Sequence, residues 1–145
     1  QKNAFVTDGF DVCGQKVHIK DVTVPLMSVT CESDHIAAWK DCYRGFQQTG
    51  SKNRTFILSQ SGHIAGIVNP PNKKKYGHYT NSDQSLDADS WREGATFHEG
   101  SWWTRWEAWL KKRSGKMVPA RKPGDSEHPP LAPAPGSYVR KKASV

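Results

Sequence analysis

The sequence predicts an α/β fold in which a short parallel sheet carries polar residues at the carboxyl ends of its strands. The run Thr23–Thr30 is apolar and β-branched almost throughout, which is typical of a strand buried on both faces. A second short strand is predicted over Arg54–Leu58, after an intervening amphipathic helix. In such a strand–helix–strand unit the functional loops follow the strands, and Asp34 and His63 fall in these two loops.

The helix of this unit is predicted over residues 36–48. Its apolar residues recur at helical spacing, namely Ile36, Trp39, Tyr43 and Phe46. Gly50 follows as the expected C-cap. Pro25 is expected near the start of the first strand, where a missing N–H is tolerated.

Two further helices are predicted beyond Pro70-Pro71, over residues 87–95 and 102–113. Ser101 is expected to cap the second, Glu107 and Lys111 to form an i,i+4 pair, and Gly115 to end it. Its apolar stripe consists of Trp102, Trp103, Trp106, Trp109 and Leu110.

The end of the chain is predicted to be an extended surface tail, because six of the nine prolines lie between Pro119 and Pro135. We therefore divide the chain into a sheet-bearing segment, residues 1–71, a helical extension, residues 72–116, and a Pro-rich, basic tail, residues 117–145.

Composition limits the class of protein. No apolar run approaches the ~20 residues of a membrane helix, so no transmembrane segment is predicted. Three cysteines without a C-x-x-C pair argue against a disulfide framework and favour the cytoplasm. The first residues, Gln1 to Phe5, include no initiator Met and no signal peptide, and we expect a cut end there.

The net charge of +7 is concentrated in residues 61–145, which hold fourteen Lys and Arg residues against eight Asp and Glu. We interpret the basic runs as solvated surface that also suits an anionic partner, such as a phosphate-bearing cofactor. These runs are residues 73–75, 111–113 and 140–142.

Asp34 and His63 have the residue types and the order of the last two members of a hydrolase triad, whose chain order is nucleophile, acid, histidine. The histidine removes a proton from the nucleophile, and the carboxylate fixes its tautomer and stabilises the imidazolium. An Asp and a His at this separation are common, so this pair alone favours the simpler interpretation of a turn residue and a loop histidine over a catalytic pair.

Four stretches make the interpretation specific, and the sequence around them resembles the class I polyhydroxyalkanoate synthases from about Phe10 to Tyr138. These stretches are Val12-Cys13-Gly14-Gln15-Lys16-Val17, Asp34-His35-Ile36-Ala37-Ala38-Trp39, Ser61-Gly62-His63-Ile64-Ala65-Gly66-Ile67-Val68-Asn69-Pro70-Pro71 and Gly100-Ser101-Trp102-Trp103-Thr104-Arg105-Trp106. The closing run Ala134-Pro135-Gly136-Ser137-Tyr138-Val139 is also similar to the end of that family.

The resemblance implies the C-terminal part of an α/β-hydrolase fold, comprising its last two parallel strands with flanking helices. By the same resemblance, Asp34 and His63 are the acid and histidine of a Cys-His-Asp triad. The family's nucleophile lies in a G-x-C-x-G elbow, and neither this pattern nor G-x-S-x-G occurs in the sequence. We therefore expect the nucleophile upstream of Gln1, and no activity from residues 1–145 alone.

The implied reaction polymerises (R)-3-hydroxyacyl groups from coenzyme A thioesters and releases coenzyme A. The implied partners are the acyl-CoA, the growing polyester chain, the polyester granule surface in the cytoplasm and the upstream part of the same enzyme, and a homodimer is compatible with the family. No cofactor and no metal is called for.

The family usually has a proline at the position of Ala38. This position lies at a helix start, and the change is not expected to affect the chemistry. His35 is expected to support the loop rather than to react.

Three alternatives stay open. A related esterase or depolymerase would share the acid and the histidine but use serine. A nucleic-acid module would stack bases on tryptophans near the basic runs, although helical spacing favours a buried face for most of them. A metal site would use residues that lack the close ligand pairs of zinc sites, namely Cys13, His18, Cys31, His35 and Cys42.

Overall fold

The computed structural model describes residues 3–143, which divide into a unit ending at Arg113 and a second unit beginning at Ser114. Positions 1, 2, 144 and 145, the outermost residues of the predicted first and last segments, lie outside the described residues. The second unit is rich in proline and exposed, and its described part has no helix or strand except a 3-10 turn at Tyr138–Arg140. Within residues 3–143, no helix is long and apolar enough to cross a bilayer.

The first unit is a mixed α/β structure built on the predicted strand–helix–strand unit. Strand β3 (Leu26–Cys31), helix α1 (Trp39–Gln47) and strand β4 (Arg54–Ser59) follow one another in the chain. The two strands pair in parallel over their full length, from Leu26 opposite Arg54 to Cys31 opposite Ser59. Because parallel strands end at the same edge of a sheet, the loops after β3 and β4 lie side by side.

The prediction of only two strands was incomplete. Strand β5 (His78–Thr80) pairs antiparallel with β4, and strand β6 (Thr96–His98) with β5, so the order is β3-β4-β5-β6. A separate hairpin precedes the sheet, formed by β1 (Phe10–Val12) and β2 (Gln15–Val17). Each missed strand has three residues, too few for an alternating pattern to be read. The outer edge of β3 has no partner strand within residues 3–143.

Helix α1 begins three residues later than the apolar spacing predicts. The Asp34 carboxylate accepts hydrogen bonds from the backbone N–H groups of Ile36 and Ala37, which form a turn before the helix. Consequently the Ile36 side chain is 69% exposed and does not belong to the buried stripe.

Gly50 does not cap α1 as predicted. The C-cap is Gln48, in the right-handed region, and its N–H bonds back to the carbonyls of Gly45 and Phe46. A Cβ atom on Gly50 would lie 1.9 Å from the carbonyl oxygen of Lys20. The glycine is therefore required by a close approach between two backbone segments.

The core lies between one face of the sheet and the helices α1 and α2 (Ala88–Glu93). The indole of Trp91 is fully buried, and its centroid lies 5.4 Å from that of Tyr43 and 5.2 Å from that of Phe56. Such tilted and edge-to-face ring contacts add to the free energy gained from apolar burial. The buried cluster consists of Tyr43, Phe46, Phe56, Leu58, Ala88 and Trp91.

The two later helices lie within their predicted ranges. Asp87 caps α2 by accepting hydrogen bonds from the N–H groups of Asp89 and Ser90. Helix α3 (Trp103–Lys111) ends before Gly115, and the Nζ of Lys111 lies 2.8 Å from Oε1 of Glu107. Its tryptophan stripe is only partly covered: Trp102 is buried, whereas Trp106 is 43% exposed.

We predict opposite effects of two glycine-to-alanine changes around α1. Gly50→Ala is expected to lower the free energy of unfolding by about 1–3 kcal/mol, because the added methyl group collides with the Lys20 carbonyl. Gly45→Ala is the matched control, since no atom lies within 4 Å of its added methyl group. Because alanine favours the helix, this variant is expected to gain about 0.5–1 kcal/mol. Denaturant unfolding measures both, and equal stability of the two variants would contradict the proposed contact.

Candidate active site

The parallel register of β3 and β4 brings Asp34 and His63 together. Backbone pairing continues past the strand ends: Glu32 N–H donates to Ser59 O at 2.8 Å, and Ser33 N–H donates to Ser61 O at 3.0 Å. The Asp34 and His63 loops are therefore held edge to edge, and Oδ2 of Asp34 lies 2.8 Å from Nδ1 of His63.

The two oxygens of Asp34 have separate partners. Oδ1 accepts the N–H groups of Ile36 and Ala37, both at 2.9 Å, whereas Oδ2 faces the imidazole. The Asp34 side chain is only 7% exposed. The Ala37 amide, the His63 ring and the Ile36 amide lower the pKa of this carboxyl from 3.8 to about 2. Asp34 is thus a carboxylate at neutral pH, with a fixed orientation.

His63 presents its other nitrogen outward. A carboxylate facing Nδ1 favours the tautomer with the proton on Nδ1, which leaves a lone pair on Nε2. The His63 side chain is 48% exposed, and Nε2 has no hydrogen-bond partner within the part of the chain that the structure describes. Chemically, the pair can accept a proton at Nε2 while the carboxylate stabilises the resulting imidazolium.

Trp102 and Trp103 contact the His63 loop, although the sequence predicts for them only a place in an apolar stripe. The indole N–H of Trp102 donates to the carbonyl of Gly66 at 3.0 Å, and that of Trp103 donates to the carbonyl of Ile67 at 2.9 Å. The Trp-Trp dipeptide lies in one of the four stretches that carry the family resemblance. Helical spacing alone, however, indicates burial and not these hydrogen bonds.

Cys31 and Cys42 lie in environments that disfavour the thiolate form. Cys31 is buried. Its burial, and to a smaller extent the negative charge of Asp34, raises the pKa of its thiol to about 11. Burial likewise raises the pKa of Cys42. Cys13 is exposed in the turn between β1 and β2. A nucleophilic cysteine requires stabilisation of the thiolate, and the two raised pKa values correspond to the opposite effect.

The other candidates contribute less to the site. His35 is exposed in the turn after Asp34 and forms no hydrogen bond to Asp34 or His63. Trp91 and Trp102 are buried and therefore unable to stack on bases. Across residues 3–143, no group of three or more His, Cys, Asp or Glu side chains is arranged to hold a metal ion.

The fold and the site together define a mixed α/β protein with a carboxylate–imidazole pair at adjacent ends of parallel strands. No protein-family model matches the chain. Comparison with curated proteins is more specific. The chain is 38% identical over 141 residues to the poly(3-hydroxyalkanoate) polymerase subunit PhaC of Rhizobium etli, an alignment that covers 97% of the chain and 22% of that protein.

Two further relatives give the same result. Identity is 43% over 129 residues to the poly(3-hydroxyalkanoate) polymerase of Methylorubrum extorquens, covering 88% of the chain and 21% of the relative. The identity to the poly(3-hydroxyalkanoate) polymerase subunit PhaC of Cupriavidus necator is 40% over 134 residues. This alignment covers 91% of the chain and 22% of the relative. The chain belongs to the poly(3-hydroxyalkanoate) polymerase family and corresponds to its C-terminal part. It spans about a fifth of the length of these relatives.

The titration of Asp34 is a direct test of the site's geometry. We predict a midpoint near pH 2 in carboxyl carbon NMR. Because the pKa is lowered on folding, the stabilisation is complete above about pH 4 and is lost as the pH falls through about 2. His63→Ala is expected to raise the midpoint, yet to leave it below 3.8 because the Ala37 and Ile36 amides remain.

Asp87 is the internal control for this titration. Its pKa is lowered by the hydroxyl and amide of Ser90, without a contribution from His63, and so His63→Ala should leave its midpoint unchanged. An Asp34 midpoint that stays the same in His63→Ala would contradict the hydrogen bond between the two side chains.

Proposed function

We propose that this chain supplies the acid and the general base of a poly(3-hydroxyalkanoate) polymerase that acts through a Cys-His-Asp triad on an α/β-hydrolase fold. The contact of 2.8 Å between Asp34 Oδ2 and His63 Nδ1 carries the proposal. Family membership adds the class of reaction, since the relatives are named as polymerases of 3-hydroxyalkanoates. The substrate is an (R)-3-hydroxyacyl-CoA, the product is a polyester, and coenzyme A is released.

In the proposed reaction, Nε2 of His63 takes the proton from a cysteine thiol in the upstream part of the same enzyme. The resulting thiolate attacks the acyl carbonyl, a thioester forms, and coenzyme A leaves as a thiol after taking the proton back from the imidazolium. The hydroxyl of the next monomer then attacks a thioester, and either Asp34 or His63 takes its proton; the ester forms as the sulfur of that thioester leaves and is protonated. Asp34 holds the imidazole in the productive tautomer and stabilises its charged form.

We further propose which cofactors, cellular location and partners the polymerase has. The chemistry needs no redox cofactor or metal ion, because the thioester itself is the activated acyl donor. We place the polymerase in the cytoplasm, at the surface of polyester granules, with the growing chain as its partner; a homodimer is compatible with this arrangement. An esterase or depolymerase would use the same pair with a serine, and the names of the relatives favour the polymerase.

The triad is tested in the full-length polymerase carrying this sequence. His63→Ala is expected to abolish polymer formation, because the variant lacks the Nε2 atom that takes the thiol proton in the proposed reaction. Asp34→Asn should lower kcat by about 10³–10⁴-fold through loss of the orienting carboxylate. Release of coenzyme A measures both.

Cys42→Ser is the control, since Cys42 lies in α1 with a raised pKa and should be dispensable. Full activity of His63→Ala, or loss of activity in Cys42→Ser equal to that of His63→Ala, would refute the assignment.

Residues 1–145 by themselves are expected to be inactive. The pair can deprotonate a nucleophile, but the sequence has no G-x-C-x-G elbow to supply one. Incubation of the purified chain with 3-hydroxybutyryl-CoA should therefore release coenzyme A at the rate of the buffer alone. Turnover abolished by His63→Ala would show that a nucleophile resides within the chain.

A further inference from the structure

The His63 loop is attached to the rest of the unit through the carbonyl groups that follow the histidine. The Gly66 carbonyl accepts two hydrogen bonds, from the Ser59 hydroxyl at 2.8 Å and from the Trp102 indole at 3.0 Å. One residue further on, the Ile67 carbonyl accepts the Trp103 indole N–H at 2.9 Å. Two consecutive tryptophans thus hold two consecutive carbonyls of one loop.

Gly66 fits this loop tightly against β3. A Cβ atom there would lie 2.5 Å from Sγ of Cys31 and 2.7 Å from the carbonyl oxygen of Gln60. Within the loop, Gly66 N–H donates to Gly62 O at 2.9 Å, which closes a turn around His63. A shift of Gly66 would therefore be transmitted to the backbone of His63.

The start of α3 is itself firmly fixed, so the tryptophans can act as anchors. The Ser101 hydroxyl accepts the Trp103 N–H at 3.0 Å. Arg105 Nε donates to Nε2 of His78 at 2.8 Å, and Nδ1 of His78 donates to the Gly100 carbonyl at 2.9 Å. His78 is buried in β5, opposite Ser59 at the end of β4. The His63 loop and the start of α3 are thus bound to two paired residues of neighbouring strands, Ser59 in β4 and His78 in β5.

The geometry of the pair makes such anchoring important for catalysis. A general base has to lie within hydrogen-bond reach of the proton that it removes, and small misplacements are costly in rate. His63 is nearly half exposed, so side-chain packing alone does not fix its position. Its contact with Asp34 and the backbone of its loop therefore contribute to where Nε2 lies.

We propose that Trp102 and Trp103 are positioning residues, whose indole N–H groups hold the His63 loop so that Nδ1 stays on the Asp34 carboxylate. This inference rests on the proposed function for its kinetic consequence. The two tryptophans act on the substrate only through His63. Their loss should therefore lower kcat and leave KM unchanged.

The test uses the full-length polymerase carrying this sequence, with Trp102→Phe and Trp103→Phe. Phenylalanine keeps an aromatic ring and removes the N–H donor. Trp109→Phe is the matched control on the same helix, because the Trp109 indole N–H is buried without a hydrogen-bond partner within residues 3–143. Thermal unfolding of each variant monitors folding. Trp103 is less buried than Trp102, and its variant decides the question if Trp102→Phe does not fold.

We expect kcat to fall about tenfold in each of the two variants, with KM within about twofold, and Trp109→Phe to match the unmodified enzyme. A double-mutant cycle with Asp34→Asn separates positioning from general stability. If the tryptophans act through the Asp34–His63 contact, replacing them in the Asp34→Asn background should lower kcat by less than about twofold, because that contact is already lost.

Two results would overturn the positioning role: an unchanged kcat in both variants, or a loss of kcat that persists in full in the Asp34→Asn background. Failure of the proposed function is recognised separately, because Asp34→Asn alone would then leave polymerisation unaffected.

Discussion

The site depends on the parallel register of β3 and β4, which sets where the two loops begin. Cys31 and Ser59 are paired at the ends of these strands, and two further backbone hydrogen bonds extend the pairing into the loops. Asp34 and His63 are therefore separated by a distance fixed by the sheet itself. A slip of one residue would turn every side chain of one strand to the opposite face and separate the pair. The core beneath, with Phe56 and Leu58 on one face of β4, opposes such a slip.

The Asp34 carboxylate has two functions, one in the backbone turn before α1 and one in the orientation of His63. Its Oδ1 satisfies two backbone N–H groups and thereby shapes the turn that leads into α1, while Oδ2 orients the imidazole. The same turn is compatible with the proline that the family resemblance leads us to expect at the position of Ala38. Ala38 is the N-cap of α1 with φ −54°, close to the value that a proline ring imposes. The backbone φ at Ala38 is therefore one that a proline could also adopt.

The part of this structure that the sequence predicts is the part in which local pattern and packing agree. The long apolar run before Asp34 and the spacing of Tyr43 and Phe46 predict β3 and α1, because burial determines both pattern and structure. Strands β5 and β6 depend on pairing with a neighbour and are too short to leave a pattern. The role of Gly50 is equally invisible, since its constraint comes from the Lys20 carbonyl, thirty positions away. The residues of the pair were identified from motifs, whereas the indole contacts of Trp102 and Trp103 require the relative placement of α3 and the loop.

The outer edge of β3, which has no partner strand within residues 3–143, shows where the nucleophile of the proposed triad would approach. Asp34 follows β3, and His63 lies at the same end of the sheet, with no hydrogen-bond partner for its Nε2 in the described part of the chain. Parallel strands added beside β3 would end at this edge as well, and a loop at the carboxyl end of one of them would reach the region in front of Nε2. A nucleophile elbow has this location in the fold that we propose. Ile36 and Ile64, which neighbour the pair along the chain, are 69% and 73% exposed, as expected if neighbouring protein or acyl groups cover them. In the reaction that we propose, the chain thus provides the acid and an oriented base, and a thiol from the upstream part of the enzyme would complete the chemistry at the outer edge of β3.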